Sequence, residues 1–226
     1  MKINCLDKGY VQSISQYENG DLLVVNAARC SFDKEHDIFD EAKDTKLIHY
    51  LAQHGHLLPF RHPHATFRIH CPIFVLRQLG KHQVGFSWSE VSRRYISTEP
   101  EFYSPNEWRL KAPNVKQGSS EEISNISDLY KQDSDFVNKT ALQFYSLMIK
   151  EGVCAEQARM ILPQSMYTTT VVTGSLLGWN HLYKQRTDSH AQKETQEYAK
   201  AIGSILEKFY PVSWKALCNE KNTDNR

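Results

Sequence analysis

The apolar positions of this chain follow two periods. From Ala65 to Cys71, apolar Ala65, Phe67, Ile69 and Cys71 alternate with Thr66, Arg68 and His70, the two-residue period of a strand with one buried face. Tyr10 to Ile14 alternates similarly and reads as a first strand. Helical spacing follows two acidic cap candidates: Asp21 before Leu22 to Arg29, and Asp44 before Leu47, Ile48 and Leu51, with a stop near Gly55. Pro72 suits the first turn of a helix over Ile73 to Gly80, where a missing N–H leaves no bond unmade.

Ser119 to Gly152 is helical in composition and predicts two helices or one bent one. Within it Val137, Ala141, Phe144, Tyr145 and Met148 recur on a single helix face, which predicts a stripe turned to the core. Ala155 to Leu162 reads as a short helix ended by Pro163, and Ser175 to Gln185 as another. Ser189-His190-Ala191-Gln192 has the form of a capping box, so Ser189 is expected to open a last long helix running to about Tyr210. That would set Arg186 beside the positive end of a helix, where an anion is favoured. From Tyr95 to about Gln117 the composition turns to Pro, Ser and charged residues, with a short strand expected at Glu101 to Tyr103.

One run follows neither period. Lys81-His82-Gln83-Val84-Gly85-Phe86-Ser87-Trp88-Ser89-Glu90-Val91-Ser92-Arg93-Arg94-Tyr95 packs cations, a carboxylate and hydroxyls together and reads as a ligand loop. Arg186-Thr187-Asp188-Ser189-His190-Ala191-Gln192 repeats that logic, with a cation just ahead of an expected helix start.

The 226 residues suit one sizeable core, so a single domain over 1–226 is expected. No apolar run approaches the roughly 20 residues of a membrane helix, and the first residues lack the apolar stretch of a secretory signal, so the expected location is cytoplasmic. A net charge of +1 supplies no general attraction for a nucleic-acid backbone, which argues against an RNA-binding role for the aromatics. Any anion must be bound locally. The five cysteines are odd in number and widely spaced, which argues against a disulfide framework or a zinc ribbon and predicts reduced, mostly buried thiols.

The His-x-His pairs His54/His56 and His62/His64, with His70 and His82 near them in sequence, invite a metal reading. They lack the cysteines or clustered carboxylates of a standard site, so hydrogen-bonded scaffold is the preferred reading and no metal is expected. Arg77, Lys81, Arg94, Arg159 and Arg186 lie at element ends or in apolar surroundings, where each either pairs with an Asp or Glu or binds a ligand anion. Arginine forks onto phosphate oxygens, which suits a ligand anion, but for Arg94 and Arg186 the residues alone leave an acidic partner the preferred reading. No Gly-x-Gly-x-x-Gly or Gly-x-x-x-x-Gly-Lys-Ser/Thr occurs, so a Rossmann or P-loop site has no support.

The two polar runs together resemble the signature of the flavin-dependent thymidylate synthases, Arg-His-Arg, a short spacer, then Asn-Glu-x-Ser-x-Arg-Tyr. The similarity continues in Ala27-Ala28-Arg29-Cys30-Ser31, in His54-Gly55-His56-Leu57-Leu58-Pro59-Phe60-Arg61-His62, in Cys71 to Gln78, and in Arg159-Met160-Ile161-Leu162-Pro163. Lys81 and Gln83 stand where the signature has its two arginines, and Arg61 and Ser89 replace Glu and Asn. Ser175, Leu177 and His181 stand where the family commonly has Asn, Arg and Asn.

The resemblance implies an α/β fold of the α+β kind peculiar to the family, with helices packed on a central, mainly antiparallel sheet, and homotetramers with shared active sites. It implies reductive methylation of deoxyuridylate (dUMP) to dTMP, with methylenetetrahydrofolate giving the carbon and NADPH the electrons through FAD. It places dUMP on Gln78, Lys81, Glu90, Ser92, Arg94, Tyr95, Arg159 and Arg186, and FAD on Ser31, His56, Lys81, His82, Gln83, Glu90, Ser175 and His181. Ser92, Arg94, Arg186 and His56 would be the catalytic set, without a cysteine nucleophile, since no cysteine sits in an activating context. The alternative is a non-catalytic nucleotide-binding homologue that has lost flavin.

Overall fold

The computed structural model describes residues 1–113 and 118–219. Five antiparallel strands form the main sheet: β1 (Lys2–Cys5), β2 (Gly9–Gln16), β3 (His64–Pro72), β4 (Phe86–Glu90) and, later in the chain, β7 (Tyr167–Ser175), in the order β1-β2-β3-β7-β4. A separate hairpin joins β5 (Arg109–Lys111) to β6 (Ser119–Ile123). The helices are α1 (Gly20–Arg29), α2 (Glu41–Gln53), α3 (Ile73–Leu79), α4 (Ser127–Lys150), α5 (Ala155–Ala158), α6 (Leu176–Thr187), α7 (Lys193–Phe209) and α8 (Pro211–Asn219). The expected mixture of helices with an antiparallel sheet is what the chain forms.

The alternation over β3 sets its pairing. Phe67 lies opposite Val172 and Ile69 opposite both Val11 and Thr170, so one sheet face gathers the buried residues of three strands. Residues of α1, α2, α6, α7 and α8 complete that core, with Trp179 standing edge-on between Phe67, at 5.0 Å, and Phe86, at 4.7 Å. Removing a buried ring of this size costs about 3–5 kcal/mol. Gly174 makes room for it: a Cβ there would come within 2.4 Å of the Phe86 ring and 2.9 Å of the Trp179 indole nitrogen.

Several expectations need correction. Asp21 does not cap its own helix; its carboxylate accepts the Val212 and Ser213 N–H groups and caps α8 instead. Asp40, not Asp44, caps α2, and Asp44 is buried within that helix against Arg29. Ser119 to Ile123 is strand rather than helix, since α4 begins only at Ser127. Phe102 forms an isolated bridge with Met166 where a short strand was expected. Gln192, not Ser189, precedes α7. β1, β7 and α8 had no counterpart in the periodicity.

The apolar stripe of α4 does not face the core of this chain. Of its five residues only Tyr145 is buried, while Val137 is 55% and Phe144 56% exposed. Cys5 and Cys71 are buried and Cys218 partly so, but Cys30 and Cys154 are exposed, so the cysteines are less uniformly buried than expected; all are free thiols. No helix among the described residues is long and apolar enough to cross a membrane.

Candidate functional site

The polar run after α3 is not a simple loop. Gly80 ends the helix, and a turn is held by the His82 N–H on Leu79 O at 3.1 Å, the Gln83 side chain on Gly80 O at 2.6 Å and the Phe86 N–H on Gln83 O at 3.2 Å. Gly85 adopts φ +78°, a conformation strained for any residue with a Cβ, and its carbonyl accepts the Ser175 N–H. The chain then enters β4, which pairs with β7 from Phe86 opposite Gly174 to Glu90 opposite Thr170. Its alternation, Phe86, Trp88 and Glu90 against Ser87 and Ser89, was concealed by the small number of apolar residues.

This path brings His82 to Arg186 in the last turn of α6. Arg186 Nε donates to His82 Nε2 at 3.1 Å. Burial, then the charges of Arg186 and His181, push the His82 imidazole down to about 4. Arg186 sits at the C-terminal end of α6 rather than beside the positive end of a helix, a correction to the sequence reading. Gln78 is held from α7 and the residue before it, its amide meeting Gln192 at 2.6 Å and the buried Thr195 hydroxyl at 3.1 Å. Nothing in the sequence marked Thr195.

Beyond β4, Ser92 Oγ accepts the Arg94 backbone N–H at 3.3 Å and its Nε–H at 3.4 Å, and the Arg94 guanidinium lies 5.1 Å from the exposed Tyr95 ring centre. Glu90 accepts the Thr168 hydroxyl at 2.9 Å. Ser31 lies in a short 3-10 turn after α1, and His56 follows α2, its ring stacked 6.2 Å from Tyr50; both are exposed. Arg159, exposed after α5, donates its Nε–H to the Glu156 carbonyl at 3.3 Å. Among the described residues no hydrogen bond or ion pair joins Arg186 to Arg94, Arg159, Ser31 or His56.

Ser175 departs from its expected place. It is 5% exposed, and its hydroxyl caps α6 by accepting the Gly178 N–H at 3.2 Å. The His-x-His residues are tied locally, His54 Nδ1 to Tyr50 O at 2.8 Å and His64 Nδ1 to His62 O at 2.7 Å. Among the described residues no cluster of His, Cys, Asp and Glu has the arrangement to hold a metal ion.

The cations divide into two kinds. Arg29 pairs with Asp44 and Arg109 with Glu194, both partners buried. Lys81, Arg94, Arg159 and Arg186 have no carboxylate partner among the described residues. Burial lowers the basicity of Arg186 without an anion to offset it.

The family model for thymidylate synthase complementing protein (Thy1) matches residues 13–212. Flavin-dependent thymidylate synthases from Thermotoga neapolitana and Kosmotoga olearia are 40% and 35% identical to this chain, over 96% and 97% of it and 94% of each relative. The solved structure of a UMP/dUMP methylase PolB from Streptomyces cacaoi bound with 5-Br dUMP superposes with a TM-score of 0.85 at 27% identity, covering 96% of this chain and 98% of that one. A matched model over residues 13–212, with two relatives matched over 94% of their own length, decides the point: the chain belongs to the flavin-dependent thymidylate synthase family.

Proposed function

We propose that this protein methylates the uracil ring of dUMP to give dTMP. The observation that carries the reading is Arg186, partly buried and without a carboxylate partner among the described residues, on a chain whose structural neighbour was bound with a dUMP analogue; Lys81, Arg94 and Arg159 are exposed cations available beside it in the sequence motifs. A partly buried guanidinium without a counter-ion is costly unless a ligand supplies the anion. In this reading the arginines hold the phosphate and polarise the uracil carbonyls, favouring the negative charge that makes the ring carbon nucleophilic. Gln78, Glu90, Ser92 and Tyr95 orient sugar and base.

The residues of this chain fit a flavin in part. Ser31, His56, Lys81, Gln83 and His181 are exposed, and together offer a cation and neutral donors suited to a diphosphate and a heteroaromatic ring. Ser175 is buried in this chain, its hydroxyl accepting the Gly178 N–H. When bound, FAD supplies the two electrons that take the carbon of methylenetetrahydrofolate from methylene to methyl, with NADPH as their source. Cys5 and Cys218 are not assigned as nucleophiles: burial pushes Cys5 up to about 12 and Cys218 up to about 11, which holds both protonated.

Homotetramer formation completes the proposal. Among the described residues no hydrogen bond joins Arg94 and Arg159 to Arg186, and the groove of about 390 Å³ along α4, lined by Val137, Phe144 and Met148, leaves an apolar face for another copy. A flavin spectrum in purified protein, with dUMP binding by calorimetry, tests the reading. Protein that binds dUMP but no flavin would instead be the non-catalytic homologue.

A further inference from the structure

The hairpin of β5 and β6 helps to enclose a cavity of about 360 Å³, whose other walls come from α3, α4, the segment between Tyr103 and Trp108, and the start of α7. That volume is in the range of small-molecule sites. None of its lining residues belongs to the sets assigned above to dUMP or flavin.

Three aromatic side chains line it and are held in place. Phe74 and Tyr103 pack with ring centres 5.9 Å apart, and Trp108 is steadied by Tyr130 at 6.2 Å. The Tyr103 N–H donates to Ser165 O at 2.9 Å. The Trp108 N–H donates to Ser127 Oγ at 2.7 Å, and its carbonyl accepts the Ser124 N–H at 2.8 Å. Walls anchored through their backbones need little reordering when a planar ring enters.

The charges in the lining select against an anion. Among the described lining residues the cation is Arg109, whose Nη2 donates to both oxygens of the buried Glu194, at 2.7 and 3.0 Å. The remaining carboxylate is that of the exposed Glu107. The neutral polar groups are only partly engaged. Gln192 uses its side-chain oxygen to accept from Gln78 at 2.6 Å, which leaves its amide N–H groups as donors. Ser119 Oγ accepts the Arg109 Nε–H at 2.8 Å and keeps its own O–H, while Ser165 donates its O–H to Asn138 at 2.8 Å and keeps an acceptor oxygen. Donors and an acceptor in one lining match a lactam, in which a ring C=O lies beside a ring N–H.

We propose that this cavity binds an uncharged planar heteroaromatic ring with a lactam edge, the chemistry shared by a pyrimidine base and a pterin. The ring packs against Phe74, Tyr103 and Trp108, and its lactam edge meets the hydroxyl and amide groups. The inference does not rest on the methylation reading.

The test titrates uracil and pterin, each beside its anionic counterpart, orotate and pterin-6-carboxylate, by ligand-observed NMR. Protein saturated with dUMP and FAD is used, so that those ligands hold their own sites. Wild type is compared with Ser134→Trp, which places a bulky ring in the lining, and Trp108→Leu, which removes the indole. Expected is binding of at least one neutral ring, the tighter of the two naming the source. Its carboxylate should bind about tenfold more weakly, and both variants should lose about tenfold in its affinity with dUMP binding unchanged. Trp108→Leu carries the test if Ser134→Trp does not fold. Binding of neither neutral ring, a carboxylate bound as tightly as its parent, or affinity unchanged in the variants would each overturn the inference. Wild type that takes up neither dUMP nor FAD would contradict the functional reading, a separate result, and the variants decide the cavity as before.

Discussion

Arg29 Nη2 lies 2.6 Å from Asp44 Oδ1, and the Asp44 side chain is wholly enclosed. Its other oxygen accepts the Asp40 N–H at 2.8 Å, so one buried carboxylate ties the end of α1 to the start of α2. The arginine of Ala-Ala-Arg-x-Ser is therefore structural in this chain. Asp44→Ala would leave Arg29 without its partner and should lower stability by about 3–5 kcal/mol, the usual cost of breaking a buried ion pair from one side. Urea unfolding measures it; a loss under about 1 kcal/mol would show the pair contributes little.

Arg186→Ala should weaken dUMP binding by about 1.5–3 kcal/mol, the scale of a charge-assisted hydrogen bond. Arg94→Ala should behave alike, since Arg94 has no acid partner among the described residues. Unchanged affinity in both variants by calorimetry would return these cations to a surface role.

Acid should destabilise the fold through His82. Its imidazole is held down at about 4, by burial first and by the charges of Arg186 and His181 after it, against an ordinary 6.5. Between those values the unfolded chain binds more protons than the folded one, so stability is full above about pH 6.5 and declines toward pH 4. His70, also lowered mainly by burial, adds to the same trend. The urea midpoint should fall from pH 7 to pH 5 in wild type and fall less in His82→Gln; parallel declines would contradict the assignment to this ring.

Phe144 and Val137 stand on the exposed face of α4. A charge there should oppose packing of a second copy while leaving the chain's own core intact. Phe144→Asp should therefore sediment at lower mass than wild type with little change in helical signal. Wild type that sediments as a monomer would remove the shared-site part of the proposal.

The strongly periodic elements were legible in the sequence. β3 reads from Ala65 to Cys71 because its two faces meet different environments, and α3 reads from the position of Pro72. β7 was hidden because its alternating residues are mostly threonine and valine, and Thr168 and Thr170 are buried through hydrogen bonds to β4 rather than through apolar character. The α4 stripe was correctly found as a helix face but its direction was not, because periodicity reports an apolar face and not what covers it. Arg186 and the His82 turn stood out as polar runs. Their hydrogen bond joins residues 104 positions apart, a pairing that local spacing does not encode.

Turnover is the most direct measurement. Purified protein supplied with FAD, NADPH, methylenetetrahydrofolate and dUMP is assayed for dTMP, with each component omitted in turn. The predicted result is dTMP that disappears when dUMP, the folate or the reductant is left out, and that is reduced in Arg186→Ala. Flavin-loaded protein that binds dUMP yet forms no dTMP under these conditions would contradict the assignment of this chain as a dUMP-methylating enzyme.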